Sequence, residues 1–151
     1  MVERRGSGLG TEQLDHLSCE YNTYVIVVVV GWSVLMHPEV EAWMRALDEK
    51  TTACVFAAID ALAEHGPTLQ RPLADTLTGS AVKNLKELRP GSSGRSEVRI
   101  LFAFDPKRQA ILLVAGDKAR EWTRWYQRSI PLAERRFAEH VAAVKAGTGD
   151  D

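Results

Sequence analysis

The sequence predicts an α+β fold: an N-terminal helical hairpin, an antiparallel sheet of three to five strands and C-terminal helices. Two periodicities carry that reading. Apolar residues recur at three- and four-residue spacing between residues 38 and 65 and again after 119, whereas residues 97–104 alternate with period two. Charge divides along the same boundaries. From His37 to Gly66 six acidic residues stand against two basic ones, and from Gly79 to Lys118 eight basic residues stand against four acidic ones. The net charge of -1 therefore conceals an acidic helical side and a basic sheet side. A basic antiparallel sheet is the first candidate for a working surface.

The chain of 151 residues, 45% hydrophobic, suffices for one domain with its core and is too short for two. That domain is expected at 25–147, after a poorly ordered extension (1–24) and before a frayed tail (148–151). Cys19 and Cys54 give neither a zinc spacing nor a disulfide framework, which suits a reducing, cytoplasmic setting, with Cys54 as a small buried hydrophobe. No secretory signal follows Arg4 and Arg5. The apolar run from Tyr24 to Met36 falls short of the roughly 20 residues that span a bilayer, and reads as one buried strand or two apposed ones broken at Gly31.

His37-Pro38-Glu39 starts a helix over 38–48, with Val40, Trp43, Met44 and Leu47 as its buried stripe. Thr51 or Thr52 caps a second helix, whose apolar face is Val55, Ile59, Leu62 and Ala63, and Gly66-Pro67 stops it. Residues 66–80 hold two prolines and two glycines and read as a surface connector. Val82 to Leu88 is the first strand of the basic unit. Its alternation is imperfect, since Leu85 shares a face with Lys83 and Glu87 while Val82 and Leu88 sit with Lys86; a bulge near Asn84–Leu85 reconciles them. The turn from Pro90 to Gly94, beside Arg89 and Arg95, is either a phosphate perch or an ordinary surface turn.

The middle strand is clearer. Val98, Ile100, Phe102 and Phe104 occupy one face and Glu97, Arg99, Leu101 and Ala103 the other, so Arg99 projects away from the main apolar layer. After a turn at 105–108, residues 109–115 return as an apolar strand, and Gly116-Asp117-Lys118 ends it with Lys118 at the sheet edge. The remainder is helical with a break at Ile130-Pro131. Trp122, Trp125 and Tyr126 share nearly one face; packing is the main reading for the tryptophans, while the Tyr126 hydroxyl suits a base or a phosphate.

Several stretches also resemble a known family. HPEVEAW, AAIDALAEHGPTLQRPLADTLTGS, NLKELRPGSSGRSEVRILFAFDP, AGDKA and WYQRSIPLAERRFAEH together are similar to the phage-derived Gp49-like, HigB-like branch of the RelE/ParE toxins, from about Trp32 to Val144. The resemblance implies a microbial RNase fold and, for RelE and HigB members, a ribosome-dependent endonuclease that cuts mRNA in the ribosomal A site. It further implies a cognate helix-turn-helix antitoxin as partner. ParE-like relatives share the fold and act on DNA gyrase, so a nonenzymatic gyrase-binding toxin and a non-toxic nucleic-acid-binding relative stand as alternatives. Residues before Gly31 are extra relative to the resemblance, with Val27 to Val30 as candidate alternative starts.

RNA self-cleavage needs an acceptor for the 2'-OH proton, positive charge for the phosphorane oxygens and a donor for the leaving 5'-oxygen. By resemblance, Arg99 is the central-strand arginine and Lys118 the basic residue after the final strand, both clamping the scissile phosphate. Lys86 is the nearest match to the first-strand lysines, and Glu87 stands where the RelE type has a second lysine; either Lys86 or Glu87 handles the proton, or Glu87 pairs with a lysine. Tyr126 or His140 completes the set, and Lys83, Arg89, Arg95, Arg124 and His140 are further candidates for RNA or phosphate contact. No cofactor and no metal are called for, because His16, His37, His65 and His140 lack acidic or cysteine partners at ligand spacing.

Overall fold

The computed structural model describes residues 25–28, 31–91 and 95–149. The expected extension 1–24, Val29 and Val30, most of the Pro90–Gly94 turn and the last two residues of the tail lie outside them. Strands β1 (Val25–Val28) and β2 (Ser33–Met36) lead into helices α1 (Pro38–Arg45) and α2 (Glu49–His65). After a 3-10 turn (Gly66–Thr68) come strands β3 (Ala74–Thr76), β4 (Lys86–Leu88), β5 (Val98–Phe104) and β6 (Gln109–Asp117), and helix α3 (Trp122–Gly149) closes the chain.

The sheet is six-stranded in the order β1-β2-β6-β5-β4-β3. It is one strand wider than expected and mixed rather than wholly antiparallel, because β2 runs parallel to β6 while the other neighbours are antiparallel. The connection through α1, α2 and the β3–β4–β5 meander permits the parallel pairing, which no tight turn could make. The additional outer strand, β3, comes from the expected surface connector: Ala74, Asp75 and Thr76 pair with Leu88, Glu87 and Lys86.

Both faces of the sheet are covered. On one, Val34, Met36, Ile100, Phe102 and Leu112 pack against Val40 and Met44 of α1 and Val55, Ile59 and Leu62 of α2. On the other, Leu35, Leu85, Leu101, Ala103, Ile111 and Leu113 pack against Trp125 and Ala133 of α3. That double coverage explains the unbroken apolar run of β6, whose residues from Ala110 to Val114 are all buried. It also bears out the alternation read for β5.

Local chemistry departs from expectation at several points. Asp48, not Thr51 or Thr52, caps α2, its carboxylate accepting from the Thr51 N–H at 2.7 Å. Residues 82–84 form a turn instead of strand, with Asn84 at φ 68, so β4 begins only at Lys86. The sheet irregularity lies between Leu101 and Phe102, which pair with Val114 and Leu112 and leave Leu113 as the extra residue. β6 is an interior strand only where β2 pairs with residues 109–112; from Leu113 onward it has, among the described residues, β5 alone beside it, so Lys118 follows a locally free edge, as expected. Finally, α3 runs through Pro131. A proline inside a helix costs about 3 kcal/mol, but buried residues on either side, Trp125 and Ser129 before it and Ala133 and His140 after it, hold both halves of α3 down.

Candidate active site

The sheet's covered faces place one polar cluster under the N-terminal end of α3. Glu87 lies directly opposite Leu101 in the β4–β5 ladder, on the same face as Arg99 one alternation earlier on β5. Arg99 in turn pairs with Gly116, which brings the end of β6 and Lys118 alongside. A Cβ on Gly116 would lie 2.5 Å from Trp125 Nε1, so only glycine lets α3 settle this closely on β6. That close approach delivers Tyr126, the next residue, to Glu87.

Glu87 is the hub. It is 1% exposed, and its Oε1 accepts from Arg89 Nε at 2.9 Å and lies 3.8 Å from Arg99 Nε. Its Oε2 accepts the Tyr126 hydroxyl in a short hydrogen bond. Arg89 also approaches Asp75 of β3 at 3.5 Å. Arg99, its side chain 15% exposed, donates through Nη1 to the Val98 carbonyl at 2.8 Å, and its buried Nε has no hydrogen-bond partner. The ion pair to Glu87 therefore acts through charge and not through an aligned N–H···O contact.

Lys118 is the unusual member. Only 3% exposed, its ammonium sits 3.8 Å from the centre of the Trp122 ring and 5.1 Å from that of Tyr126, and among the described residues no carboxylate lies within ion-pair distance of it. Burial, then the charge of Arg99, lowers its pKa, with Glu87 and Glu97 opposing. The Tyr126 phenol moves the other way. Burial first, then the hydrogen bond and charge of Glu87, push it well above its ordinary range, so it stays a proton donor.

Four of the five expected catalytic residues, Glu87, Arg99, Lys118 and Tyr126, thus meet, joined by Arg89 from the wider set. Lys86 does not. The neighbour of Glu87 on an alternating strand, it faces the opposite side and places Nζ 3.4 Å from Thr76 Oγ1. Lys83, Arg95 and Arg124 are exposed and outside the cluster. His140 is about 20 Å away, at the far end of the seven-residue β5. Buried rather than exposed, it places Nε2 2.8 Å from Asp105 Oδ2, a carboxylate that also accepts from the Lys107 and Gln109 N–H groups and the Gln109 amide. That bond ties the 105–108 turn to α3. A cavity of about 360 Å³ at the same far end is lined by Trp32, Lys107, Arg108 and their neighbours and takes no part in the cluster.

Two members escaped the sequence reading. Asp75 sits in the connector, where nothing marked a strand. Trp122, counted among packing residues, is 58% exposed, unlike Trp125 at 4%. Its position four residues past Lys118 was the one available signal. Among the described residues, no group of three or more His, Cys, Asp or Glu is placed to hold a metal ion, and no helix is long and apolar enough to cross a membrane.

Comparison with known proteins adds a family. Residues 42–138 match the family described as "Phage derived protein Gp49-like (DUF891)", a span that contains every member of the cluster. The chain is 58% identical over 113 residues to "Putative toxin HigB2" of Mycobacterium tuberculosis, covering 75% of this chain and 56% of that protein. It is 48% identical over 115 residues to "Putative toxin HigB3" of the same organism, covering 76% of this chain and 98% of that protein. The chain therefore spans little more than half the length of the first relative and nearly all of the second. No solved structure matches it.

Proposed function

Since the chain belongs to the phage-derived Gp49-like family, in the HigB-like branch of the RelE/ParE superfamily, we propose that it is the toxin of a type II toxin-antitoxin pair and a ribosome-dependent mRNA endonuclease. One observation carries the endonuclease reading: a buried lysine without a carboxylate partner among the described residues, beside an arginine whose Nε has no hydrogen bond. Such an arrangement destabilises the free protein and gains its missing counter-charge when a phosphate enters.

In the proposed reaction Arg99 and Lys118 hold the non-bridging oxygens and offset the charge that grows on the phosphorane. The 2'-oxygen forms its bond to phosphorus as the bond to the 5'-oxygen breaks. Glu87 takes the 2'-OH proton, and Tyr126, kept protonated by its surroundings, gives its own to the departing 5'-oxygen. The hydrogen bond between them then returns the proton from Glu87 to Tyr126, leaving a 2',3'-cyclic phosphate, a 5'-hydroxyl and the starting enzyme. Lys86 has no part in this scheme.

Induced expression with and without a neighbouring antitoxin gene, followed by mapping of mRNA 5' ends on ribosomes, tests the proposal. Growth arrest with new 5'-hydroxyl ends, absent from folded Arg99→Ala and Lys118→Met variants, is the expected result. Arrest with DNA breaks and intact transcripts would replace it by a gyrase-directed toxin. A helix-turn-helix antitoxin is the proposed partner, its acidic segment complementing this basic face.

A further inference from the structure

We propose that Trp122 is a base-stacking shelf: the outward face of its indole takes the base of a single-stranded nucleotide whose phosphate sits on Lys118 and Arg99. The inference rests on the endonuclease reading of the same cluster and adds to it the element that engages a base.

Three observations carry it. Trp122 is one of two large apolar side chains among the described residues that are exposed, at 58%, although it begins a helix whose next aromatic residues are packed. It is also held in place. The Lys118 ammonium lies 3.8 Å from its ring centre, and the Tyr126 ring meets it nearly edge-on at 6.2 Å and 81°. An indole pinned by a cation on one side and by a perpendicular ring leaves its remaining face open with little rotamer freedom to lose on binding. Finally, the cation pinning it is the one assigned to the phosphate. The ring centre and the ammonium are thus 3.8 Å apart, so one nucleotide can reach from a base on the outward face to a phosphate at Lys118. Stacking of this kind accepts any base, because every base offers a π-face, so the shelf sets which strand geometry is bound more than which sequence.

The test is binding of 2'-fluoro RNA tetranucleotides, which cannot be cleaved, to the full chain, compared with the same oligonucleotides lacking one base. Base-bearing RNA is expected to bind wild type at least tenfold more tightly than the best-placed abasic form. Trp122→Leu should erase that difference, and Trp122→Phe should restore most of it. The salt dependence of binding separates the two roles: Trp122→Leu leaves its slope unchanged, whereas Lys118→Met lowers it by about 0.7 for the lost phosphate contact. Circular dichroism and the thermal midpoint confirm that each variant is folded. Three results overturn the shelf: equal binding of abasic and base-bearing RNA by wild type, a Trp122→Leu protein that still discriminates, or a Trp122→Leu protein that loses only antitoxin affinity, which would assign the indole to a protein partner. Failure of the endonuclease reading looks different, as stacking intact in the binding assay with no cleaved transcripts in cells.

Discussion

Replacing Glu87 separates the hub from its spokes. Glu87→Ala removes a carboxylate that is 1% exposed and leaves Arg99, at 15% side-chain exposure, facing Lys118 across a partly dry site. It also strips the Tyr126 hydroxyl of its acceptor. Breaking a buried ion pair from one side costs about 3–5 kcal/mol. Arg89 keeps Asp75 at 3.5 Å and is one-third exposed, so water screens its share and the low end, about 3 kcal/mol, applies. That is a large part of the roughly 5–15 kcal/mol that holds a domain together. At about 2–4 °C per kcal/mol for a domain of this size, the thermal midpoint falls by roughly 6–12 °C. Glu87→Gln keeps the volume and an acceptor for Tyr126 but not the charge, and should cost about 1–2 kcal/mol. Urea unfolding followed by tryptophan fluorescence measures both. A double-mutant cycle with Tyr126→Phe should return a coupling of about 1 kcal/mol or more. If Glu87→Ala stays within about 0.5 kcal/mol of wild type, or Gln proves as harmful as Ala, the hub reasoning fails.

Three further outcomes follow from the same geometry. Because the pKa of Lys118 is lowered in the folded state, the unfolded chain holds that proton more tightly; stability should rise with pH between the lowered value and the ordinary 10.5, and the rise should vanish in a Lys118→Met protein that is more stable at neutral pH. Tyr126 has the opposite sign: its folded pKa is raised from 10.0, so stability should fall as pH climbs above 10, the fall should disappear in Tyr126→Phe, and the absorbance difference between wild type and Tyr126→Phe should show this phenol ionising above the ordinary tyrosine range. His140→Gln should cost about 1–3 kcal/mol by weakening support for the buried Asp105 carboxylate, seen in urea unfolding, and should leave cleavage by the folded fraction unchanged, since it stands at the other end of the sheet.

Period and composition made the fold legible because each periodicity answers to a face that is covered. The β5 alternation was readable since α1 and α2 bury one side and α3 the other, and it isolated Arg99 correctly. Lys86 and Glu87 were harder. They are adjacent on a strand of three residues, too short to show a period, and a one-residue shift exchanges their faces; only pairing with Leu101 fixes Glu87 on the site side. β3 was hidden for a related reason, as Ala74–Thr76 carries a single buried side chain. Pro131 misled in the other direction, since a local penalty was outweighed by long-range contacts on both sides.

The cluster's composition follows from where it lies. At the mouth between α3 and the sheet, apolar burial runs out while desolvation persists, so charges placed there interact strongly. Three cations, Arg89, Arg99 and Lys118, share that rim with the fully buried Glu87, while the more exposed Asp75 and Glu97 approach Arg89 and Arg99 at 3.5 and 3.8 Å. If the cluster were only a staple between β4, β5 and α3, neutral residues of similar shape would serve at less cost, and Lys118 would gain only the cation–π attraction of the indole, about 0.5–2 kcal/mol, against the cost of its burial. A lysine held rigid and buried without a carboxylate partner among the described residues, beside a carboxylate that accepts from one phenol, gives up stability in the free protein. That loss is recovered when an anion with a transferable proton nearby occupies the site.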